Sequence, residues 1–249
     1  MQVVVQNLLV SYYQAGKGEP VLIIPGWADV AANWQEFANA LAKHHAVTVL
    51  DLPGFGGSQA PTKAWGLDDY ASFVAAFTDK VRLLPHTIIG HSNGGSIAIR
   101  GLAQQQLQAQ QLVLLASAGI RDEGSGRKGL LKVIAKTGKV VSAPLPGRTK
   151  QRLRRKLYQS VGSDLLVAEH MQETFKKVVA QDVQADAARL SLPTLLVYGE
   201  HDEQTPVRYG QLLHEAIDGS TLEILPQADH FLYRSHTAQV VQLVEDFLR

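Results

Sequence analysis

Five short apolar runs, rich in β-branched residues, constrain the fold of this 249-residue chain more than any other feature. Strands of a parallel sheet have such near-continuous apolar sequences because helices cover both faces of the sheet. The runs are VLII (21–24), VTVLDL (47–52), TIIG (87–90), LVLLAS (112–117) and TLLVYG (194–199). The sequence therefore predicts a central sheet that is mostly parallel.

Segments with a helical spacing of apolar residues lie between and after these runs, at 34–43, 68–84, 95–106, 207–217 and 237–248. In the last segment the apolar residues fall on one face of a helix. The first residues, MQVVVQNLLVSYYQ, predict a pair of strands. The alternation of strands and helices, with right-handed crossovers, predicts an α/β fold with helices on both faces of the sheet.

The stretch from about 121 to 190 interrupts the alternation because it contains no strand-like run. Its pattern predicts three helices, near 127–141, 149–160 and 164–181, separated by turn residues. We expect this insert to lie over the carboxyl end of the sheet, where open α/β sheets bind ligands. The predicted division is a core domain, 1–120 and 191–249, and a helical cap, 121–190.

Composition excludes several classes of site. The chain has no cysteine, so disulfides, thiolate metal sites and cysteine nucleophiles are excluded, and a reducing compartment is consistent with this. The N-terminus lacks the pattern of a signal peptide, and no stretch approaches the roughly 20 apolar residues of a membrane span. We therefore expect a cytoplasmic protein with no transmembrane segment.

The net charge of +1 conceals an uneven distribution. Residues 124–163, the basic segment, hold 11 of the 24 lysines and arginines and no acidic residue, whereas the rest of the chain has 13 basic and 23 acidic residues. This segment is either a solvated helix face or a surface that attracts an anionic substrate or an anionic membrane. Nucleic acid is not an expected partner, since Tyr158 is its one aromatic residue available for stacking.

The sequence GHSNGG follows the apolar run at 87–90 and opens a helical segment. A serine at a strand-to-helix turn adopts a strained conformation, and glycines two residues to either side let the strand and the helix approach closely. The positive end of the following helix then points at the reacting centre. This spacing is the G-x-S-x-G nucleophile elbow, which makes Ser92 the candidate nucleophile.

A serine hydroxyl needs a base, and a third group must orient that base. In enzymes with this elbow, the acid and the histidine follow the serine in chain order. GEHDEQTP places Asp202 just past a predicted strand, and ADHF places His230 after another. Both side chains should therefore reach the edge of the sheet where Ser92 lies. His91 adjoins the serine, but we expect its side chain to point away and to pack or hydrogen-bond elsewhere.

These three motifs, together with DLPGFGGS at 51–58, resemble the α/β-hydrolase superfamily over nearly the whole chain, and in particular its carboxylesterase-like serine hydrolases with a helical cap. The resemblance implies the α/β-hydrolase fold, with Ser92 as nucleophile, Asp202 as acid and His230 as base. Asp122 is a minor alternative for the acid, because some members of the superfamily take it from the loop after the preceding strand.

The oxyanion hole needs two backbone N–H donors aimed at the developing charge. Asn93, which follows the nucleophile, should provide one of them. The other should come from PGWADVAANW, where the family's frequent His-Gly is replaced by Pro25-Gly26, and the resemblance assigns the Trp27 amide. Whether the Trp27 ring is a wall of the binding site or a core aromatic stays open.

The expected activity is hydrolysis of small or medium carboxylic esters through an acyl-enzyme, without a metal or an organic cofactor. Hydrolysis of carbon–carbon bonds in diketone-like substrates, and of thioesters, lactones or amides, would use the same residues. A receptor that binds ligands without turnover is the alternative from another class. The expected partner is a small-molecule ester, and a monomer and a homodimer are both compatible with the sequence.

Overall fold

The computed structural model describes residues 1–121 and 169–249. The strands in these ranges are β1 (Gln2–Val5), β2 (Leu8–Ala15), β3 (Glu19–Ile24), β4 (His45–Leu50), β5 (Thr87–His91), β6 (Gln111–Leu115), β7 (Thr194–Gly199) and β8 (Thr221–Leu225). The helices are α1 (Gln35–Leu41), α2 (Leu67–Val81), α3 (Asn93–Ala103), α4 (Glu169–Ala180), α5 (Gln184–Ala187), α6 (Val207–Ala216), α7 (Leu232–Ser235) and α8 (Thr237–Leu248).

All eight described strands belong to one sheet, in the order β1-β2-β4-β3-β5-β6-β7-β8. The strands β3 to β8 run parallel to one another. The hairpin of β1 and β2 adds two antiparallel strands at one edge, as predicted from the first residues of the chain. Because the other strands are parallel, their carboxyl ends, and the loops that follow them, lie at one edge of the sheet.

Successive residues of the inner strands point to opposite faces of the sheet, and both faces are buried. On β3, Leu22 and Ile24 belong to one apolar layer, and Val21 and Ile23 belong to the other. Helices α2, α3 and α6 cover the first layer, and α1 and α8 cover the second. The predicted α/β fold, with helices on both faces of a mostly parallel sheet, is thereby confirmed.

The strand predicted over 47–52 ends earlier, at Leu50. The next residue, Asp51, still donates its backbone N–H to the Ser11 carbonyl of β2 at 3.0 Å, and its carboxylate accepts hydrogen bonds from the backbone N–H of Ala31, at 2.6 Å, and of Gly57, at 3.0 Å. A carboxylate that bonds nearby backbone groups favours a turn over a strand. This contact also ties the loop after β4 to the loop after β3.

Two helices differ from the prediction. Helix α3 begins at Asn93 rather than at Gly95, because the Gly95 N–H already bonds back to the Ser92 carbonyl at 3.0 Å. Helix α7 has four residues, which is too short for a periodic pattern to indicate it. Its position directly after the ADHF motif sets the direction in which the chain leaves that motif.

Helix α4 lies within the third helix predicted for the cap, 164–181. The other two predicted cap helices, near 127–141 and 149–160, lie outside the described residues, as does the basic segment. The division of the chain into core and cap stays a prediction. Within the ranges 1–121 and 169–249, no helix has the length and apolar character needed to cross a membrane.

Hydrogen bonds hold α4 and the residues after it against the loop that precedes α2. The Thr174 hydroxyl accepts from the Trp65 N–H at 3.1 Å, and the Gln181 side chain accepts from the Leu67 N–H at 2.6 Å. The Lys177 ammonium donates to the carbonyl of the residue before Trp65 at 2.9 Å. These contacts bring α4 to the carboxyl edge of the sheet.

Gly94 permits the closest approach between the sheet and a helix at this edge. A Cβ atom on Gly94 would lie 2.0 Å from the Ile24 carbonyl oxygen and 2.5 Å from that of Pro25. Both neighbours are backbone atoms, so a side chain at this position can be accommodated only if α3 moves away from the end of β3. The start of α3, and with it Ser92, is therefore positioned by this contact.

We predict that Gly94→Ala lowers the free energy of unfolding by about 3 kcal/mol, because α3 must separate from β3. The matched control is Gly219→Ala, where a Cβ meets no atom within 4 Å but φ is +68°. That substitution should cost about 1 kcal/mol from backbone strain alone. Urea denaturation of both variants tests the prediction, and equal losses would contradict it.

Candidate active site

Ser92 lies between β5 and α3 with a strained backbone, at φ 51° and ψ −120°. Such a conformation costs about 1–3 kcal/mol for a residue with a side chain, and it persists only where the surroundings enforce it. Here the Ser92 N–H donates to the Leu115 carbonyl at 3.1 Å, and the Ala118 N–H donates to the Ser92 carbonyl at 3.0 Å. The end of β6 and the loop after it therefore hold the turn through the N–H and the carbonyl of Ser92.

The structure brings the three residues predicted as a triad together in one hydrogen-bonded series. The His230 Nε2 lies 3.0 Å from the Ser92 Oγ, and the His230 Nδ1 lies 2.8 Å from an oxygen of Asp202. Asp202 follows β7, and His230 lies between β8 and α7. The side chains of Asp202 and His230 are 0% and 7% exposed, so water does not compete for their hydrogen bond.

Thr205 supports the Asp202 carboxylate, and sequence reasoning missed this residue. Its hydroxyl lies 2.7 Å from Asp202 Oδ2 and 2.9 Å from the Ala116 carbonyl. The N–H groups of Gln204 and Thr205 donate to Asp202 Oδ1 at 2.7 and 2.9 Å. This is an Asx-type turn, and an aspartate followed by a threonine in a polar loop is a signal that could have indicated it.

The Asp202 carboxylate is held in its ionised form. Burial by itself raises the pKa of Asp202, but the hydrogen bond from His230, the positive charge of His230 and the hydrogen bonds from Thr205 outweigh burial. The net result is a pKa below the usual value of an aspartate. An ionised Asp202 can therefore orient the imidazole and stabilise it when it carries a proton.

His91, next to the candidate nucleophile, contacts the loop that carries His230, residues 226–231, which we call the base loop. Its Nε2–H donates to the His230 carbonyl at 2.9 Å, and its Nδ1 is buried without a partner among the described residues. Burial, reinforced by the charge of His230, lowers the pKa of His91 to about 4. His91 is therefore neutral at physiological pH, and its ring N–H holds the backbone carbonyl of His230.

The two predicted oxyanion donors meet the requirements for that role. Asn93 is the first residue of α3, where backbone N–H groups have no partner inside the helix. In the part of the chain that the structure describes, neither the Asn93 nor the Trp27 backbone N–H donates a hydrogen bond. The Trp27 ring packs between Phe55 and Phe175, at centroid distances of 4.8 and 5.1 Å, and it lines the cavity beside Ser92. It is a wall of the site.

This cavity has a volume of about 210 Å³ and reaches Ser92, Asn93 and His230. Its other walls are mainly apolar, and three of the apolar residues come from α4. The apolar walls include Trp27, Ile120, Phe175, Val178, Tyr209 and Phe231. A cavity of this kind can bind the hydrocarbon part of a small substrate next to the serine hydroxyl.

The competing residues occupy other positions. Asp122, the alternative acid, lies outside the described residues. His201 has a side chain that is 64% exposed and lies near the carboxylate of Glu200. Asp229 accepts a hydrogen bond from the Phe231 N–H at 2.9 Å, so it stabilises the turn into α7.

The comparisons with known proteins agree with this fold. The chain belongs to the alpha/beta hydrolase family, whose model matches residues 21–243. It is 29% identical to the pimeloyl-[acyl-carrier protein] methyl ester esterase of Aeromonas hydrophila subsp. hydrophila, across 96% of this chain and 99% of that protein. It is 25% identical to the 2-hydroxymuconate semialdehyde hydrolase of Pseudomonas sp. (strain CF600), across 99% of this chain and 93% of that protein.

Solved structures show the same architecture. A membrane phospholipase A described as a bacterial virulence factor superposes with a TM-score of 0.82. The sequence identity is 23%, and the match covers 100% of this chain and 84% of that one. At this identity the likeness establishes the fold, and the chemistry must be argued from the residues at the site.

We predict that His91 makes folding stability depend on pH. The unfolded chain binds a proton at His91 near pH 6.5, whereas the folded chain does so only near pH 4, so stability falls as the pH falls through this window. In His91→Gln, a neutral side chain that still donates to the His230 carbonyl, the loss of unfolding free energy between pH 7 and pH 4.5 should be smaller by about 2 kcal/mol.

Urea denaturation at the two pH values measures this difference. His214→Gln is the control, because the His214 side chain on α6 is exposed and bonds only the hydroxyl of Ser220, just after the helix, among the described side chains. Its loss of stability on acidification should match that of the wild type. An unchanged pH dependence in His91→Gln would contradict the inference that His91 is neutral in the folded protein.

Proposed function

We propose that the protein is a serine hydrolase that cleaves small or medium carboxylic esters, with Ser92, His230 and Asp202 as its catalytic residues. The observation that carries the proposal is the hydrogen-bonded series of these three side chains at the end of an apolar cavity. A base 3.0 Å from a serine hydroxyl is within reach of the proton that it must remove.

In the first step, His230 takes the proton of Ser92 while the serine oxygen attacks the ester carbonyl carbon. The Asn93 and Trp27 amides donate hydrogen bonds to the tetrahedral oxyanion. His230 then gives the proton to the departing alkoxide, which leaves as an alcohol, and the acyl group stays on Ser92 as an acyl-enzyme. In the second step, His230 activates water, which releases the acid and regenerates Ser92. Asp202 stabilises the protonated imidazole in both steps.

The relatives support an ester as the substrate class. The Aeromonas protein, 29% identical over almost its full length, is named for the hydrolysis of a methyl ester. In this chain, Trp27, Phe175 and Val178 give the cavity apolar walls that suit an acyl chain. We therefore expect esters with an unbranched acyl chain of moderate length.

One observation favours a second candidate, hydrolysis of a carbon–carbon bond next to a carbonyl. The Trp27 Nε1 and the Asn93 Nδ2 are buried beside the oxyanion donors and have no partner among the described residues. A substrate with a second carbonyl oxygen could accept from them, as diketone-like compounds would. Cleavage of the carbon–carbon bond in such a compound into two separate products, at a rate above that for simple esters, would favour this candidate.

We predict that Ser92→Ala lowers kcat/KM for nitrophenyl esters by about 10⁴-fold or more, because it removes the nucleophile. A series of acyl chains from acetyl to long-chain, followed by release of nitrophenol, should show a maximum at one chain length in the wild type. Ser96→Ala is the matched control, since Ser96 lies one turn further along α3 and faces the same cavity.

The control should retain activity within about fivefold of the wild type. Circular dichroism shows whether each variant is folded. If Ser92→Ala is folded and hydrolyses the esters as fast as the wild type, the proposal is wrong.

We further propose that the basic segment, residues 124–163, attracts an anionic substrate or makes weak contact with an anionic membrane surface. Its 11 lysines and arginines and its lack of acidic residues support this. We propose that the protein is cytoplasmic, which cell fractionation can test. We also propose that it is a monomer or a homodimer, which light scattering can test. Nucleic acid is not proposed as a partner.

We predict that salt raises KM for an anionic ester, such as a dicarboxylic half-ester, and leaves KM for a neutral ester of the same length unchanged. Ions screen attraction between charges beyond about 8–10 Å at physiological ionic strength. Steady-state kinetics between low and moderate salt measures the difference. If KM depends equally on salt for both esters, the basic segment does not attract the substrate and is a solvated surface.

A further inference from the structure

Asp29 lies in the loop between β3 and α1, residues 25–34, which we call the oxyanion loop, and the proposed mechanism gives it no role. It follows Trp27 by two residues, and only 5% of its surface is exposed. Its Oδ1 accepts hydrogen bonds from the Val30 N–H at 2.9 Å and from the Asn33 side-chain amide at 2.8 Å. These two contacts close the loop on itself and account for one carboxylate oxygen.

The other oxygen connects the oxyanion loop to the base loop. Asp29 Oδ2 accepts from the Trp34 indole N–H at 2.8 Å and from the Tyr233 hydroxyl at 2.7 Å. Tyr233 lies in α7, three residues after His230, and its ring stacks on Trp34 at 3.7 Å with an interplanar angle of 3°. One atom thus joins the segment that carries an oxyanion donor to the segment that carries the base.

Burying the charge of a carboxylate at this position costs free energy, which its contacts must offset. No lysine or arginine in residues 1–121 and 169–249 forms an ion pair with Asp29, so hydrogen bonds alone offset the burial of its charge. Hydrogen bonds to an ionised acceptor are shorter and stronger than those between neutral groups. Burial, together with the charge of Asp29, raises the pKa of Tyr233, so the tyrosine stays a donor.

The residue between Trp27 and Asp29 shows that the loop is under strain. Ala28 has φ +58°, a left-handed conformation that costs a residue with a side chain about 1–2 kcal/mol. Such a conformation relaxes unless contacts on either side prevent it. The four hydrogen bonds of the Asp29 carboxylate are those contacts on one side. The Asp29 N–H also donates to the Gly26 carbonyl at 3.3 Å, and that carbonyl belongs to the same peptide as the Trp27 N–H.

We propose that Asp29 is a positioning residue, which, through Tyr233 and Trp34, fixes the Trp27 amide relative to His230. The inference rests on the proposed function, since it concerns the geometry of the same site. Asp29 does not touch the reacting atoms. It keeps the oxyanion donor and the base at the separation that the tetrahedral intermediate requires, so its loss slows the chemical step more than it weakens substrate binding.

The test uses Tyr233→Phe, which removes one hydroxyl and keeps the ring stacked on Trp34. The matched control is Tyr70→Phe, because the Tyr70 hydroxyl is also buried and donates to a backbone carbonyl, that of Pro53, at 3.1 Å. Both variants lose one buried hydrogen bond, and Tyr233→Phe should lose more thermal stability because its acceptor is ionised, so the rates are compared at a temperature at which both variants are folded. Asp29→Asn is a second variant, because its amide has one acceptor oxygen for the four donors and its N–H₂ group can accept from none of them.

The first readout is the rate at which a fluorophosphonate labels Ser92. In this reaction the serine oxygen forms a bond to phosphorus, fluoride leaves, and His230 takes the serine proton. The developing charge on the phosphoryl oxygen needs the oxyanion donors, whatever the natural substrate is. We expect the rate to fall about tenfold in Tyr233→Phe and about a hundredfold in Asp29→Asn, and to change less than twofold in Tyr70→Phe.

The second readout is the division of the effect between kcat and KM for a nitrophenyl ester. A positioning role predicts that Tyr233→Phe lowers kcat about tenfold and leaves KM within twofold. Rates equal to those of Tyr70→Phe in both assays would overturn the proposal, because the bond would then be structural only. A loss that appears in KM alone would overturn it as well.

These outcomes separate the inference from the proposed function. If the fluorophosphonate labels wild-type Ser92 but no ester is hydrolysed, the ester assignment fails, and the labelling rates of the variants still decide the role of Asp29. If wild-type Ser92 is not labelled at all, both the proposed function and the positioning role are wrong.

Discussion

The strained turn at Ser92 is the constraint on which the rest of the site depends. Its backbone, at φ 51° and ψ −120°, directs the chain from β5 straight into α3, with the side chain above the edge of the sheet. That geometry requires α3 to begin in contact with the end of β3, which only a glycine at position 94 allows. Asn93, the first residue of α3, directly follows Ser92, so the same contact also positions its backbone N–H.

Buried carboxylates in the loops at this edge keep the other parts in register with the turn. Asp202 accepts two backbone N–H groups as well as His230, and Asp51 accepts the N–H of Ala31, in the oxyanion loop. Asp29 joins that loop to α7. Each carboxylate offsets the cost of its burial with several donors, so each fixes a loop that has no regular secondary structure of its own.

The sheet and the order of the motifs could be predicted from the sequence because both are local. Apolar runs mark β3 to β7, and glycines at two-residue spacing mark the turn at Ser92, whatever lies elsewhere in the chain. The candidate triad was predictable for the same reason, since each member follows a recognisable strand. Its role in catalysis stays a proposal.

The supporting contacts could not be predicted in this way. Tyr233 and Asp29 are 204 residues apart, and nothing in the sequence around either one indicates the other. Thr205 is three residues after Asp202, but its second hydrogen bond is to the Ala116 carbonyl, 89 residues away in the sequence. The short helix α7 carries no periodic signal, although it places Tyr233 under Trp34. Such contacts depend on tertiary packing that a sequence pattern does not contain.

The central claim is that Ser92 forms an acyl-enzyme, and the most direct measurement is to trap that intermediate. The protein is mixed with an excess of nitrophenyl hexanoate, quenched with acid during turnover, digested and analysed by mass spectrometry. We predict a hexanoyl group on the peptide that contains Ser92, in the wild type but not in Ser92→Ala. Turnover without any acylated peptide, or acylation at another residue, would contradict it.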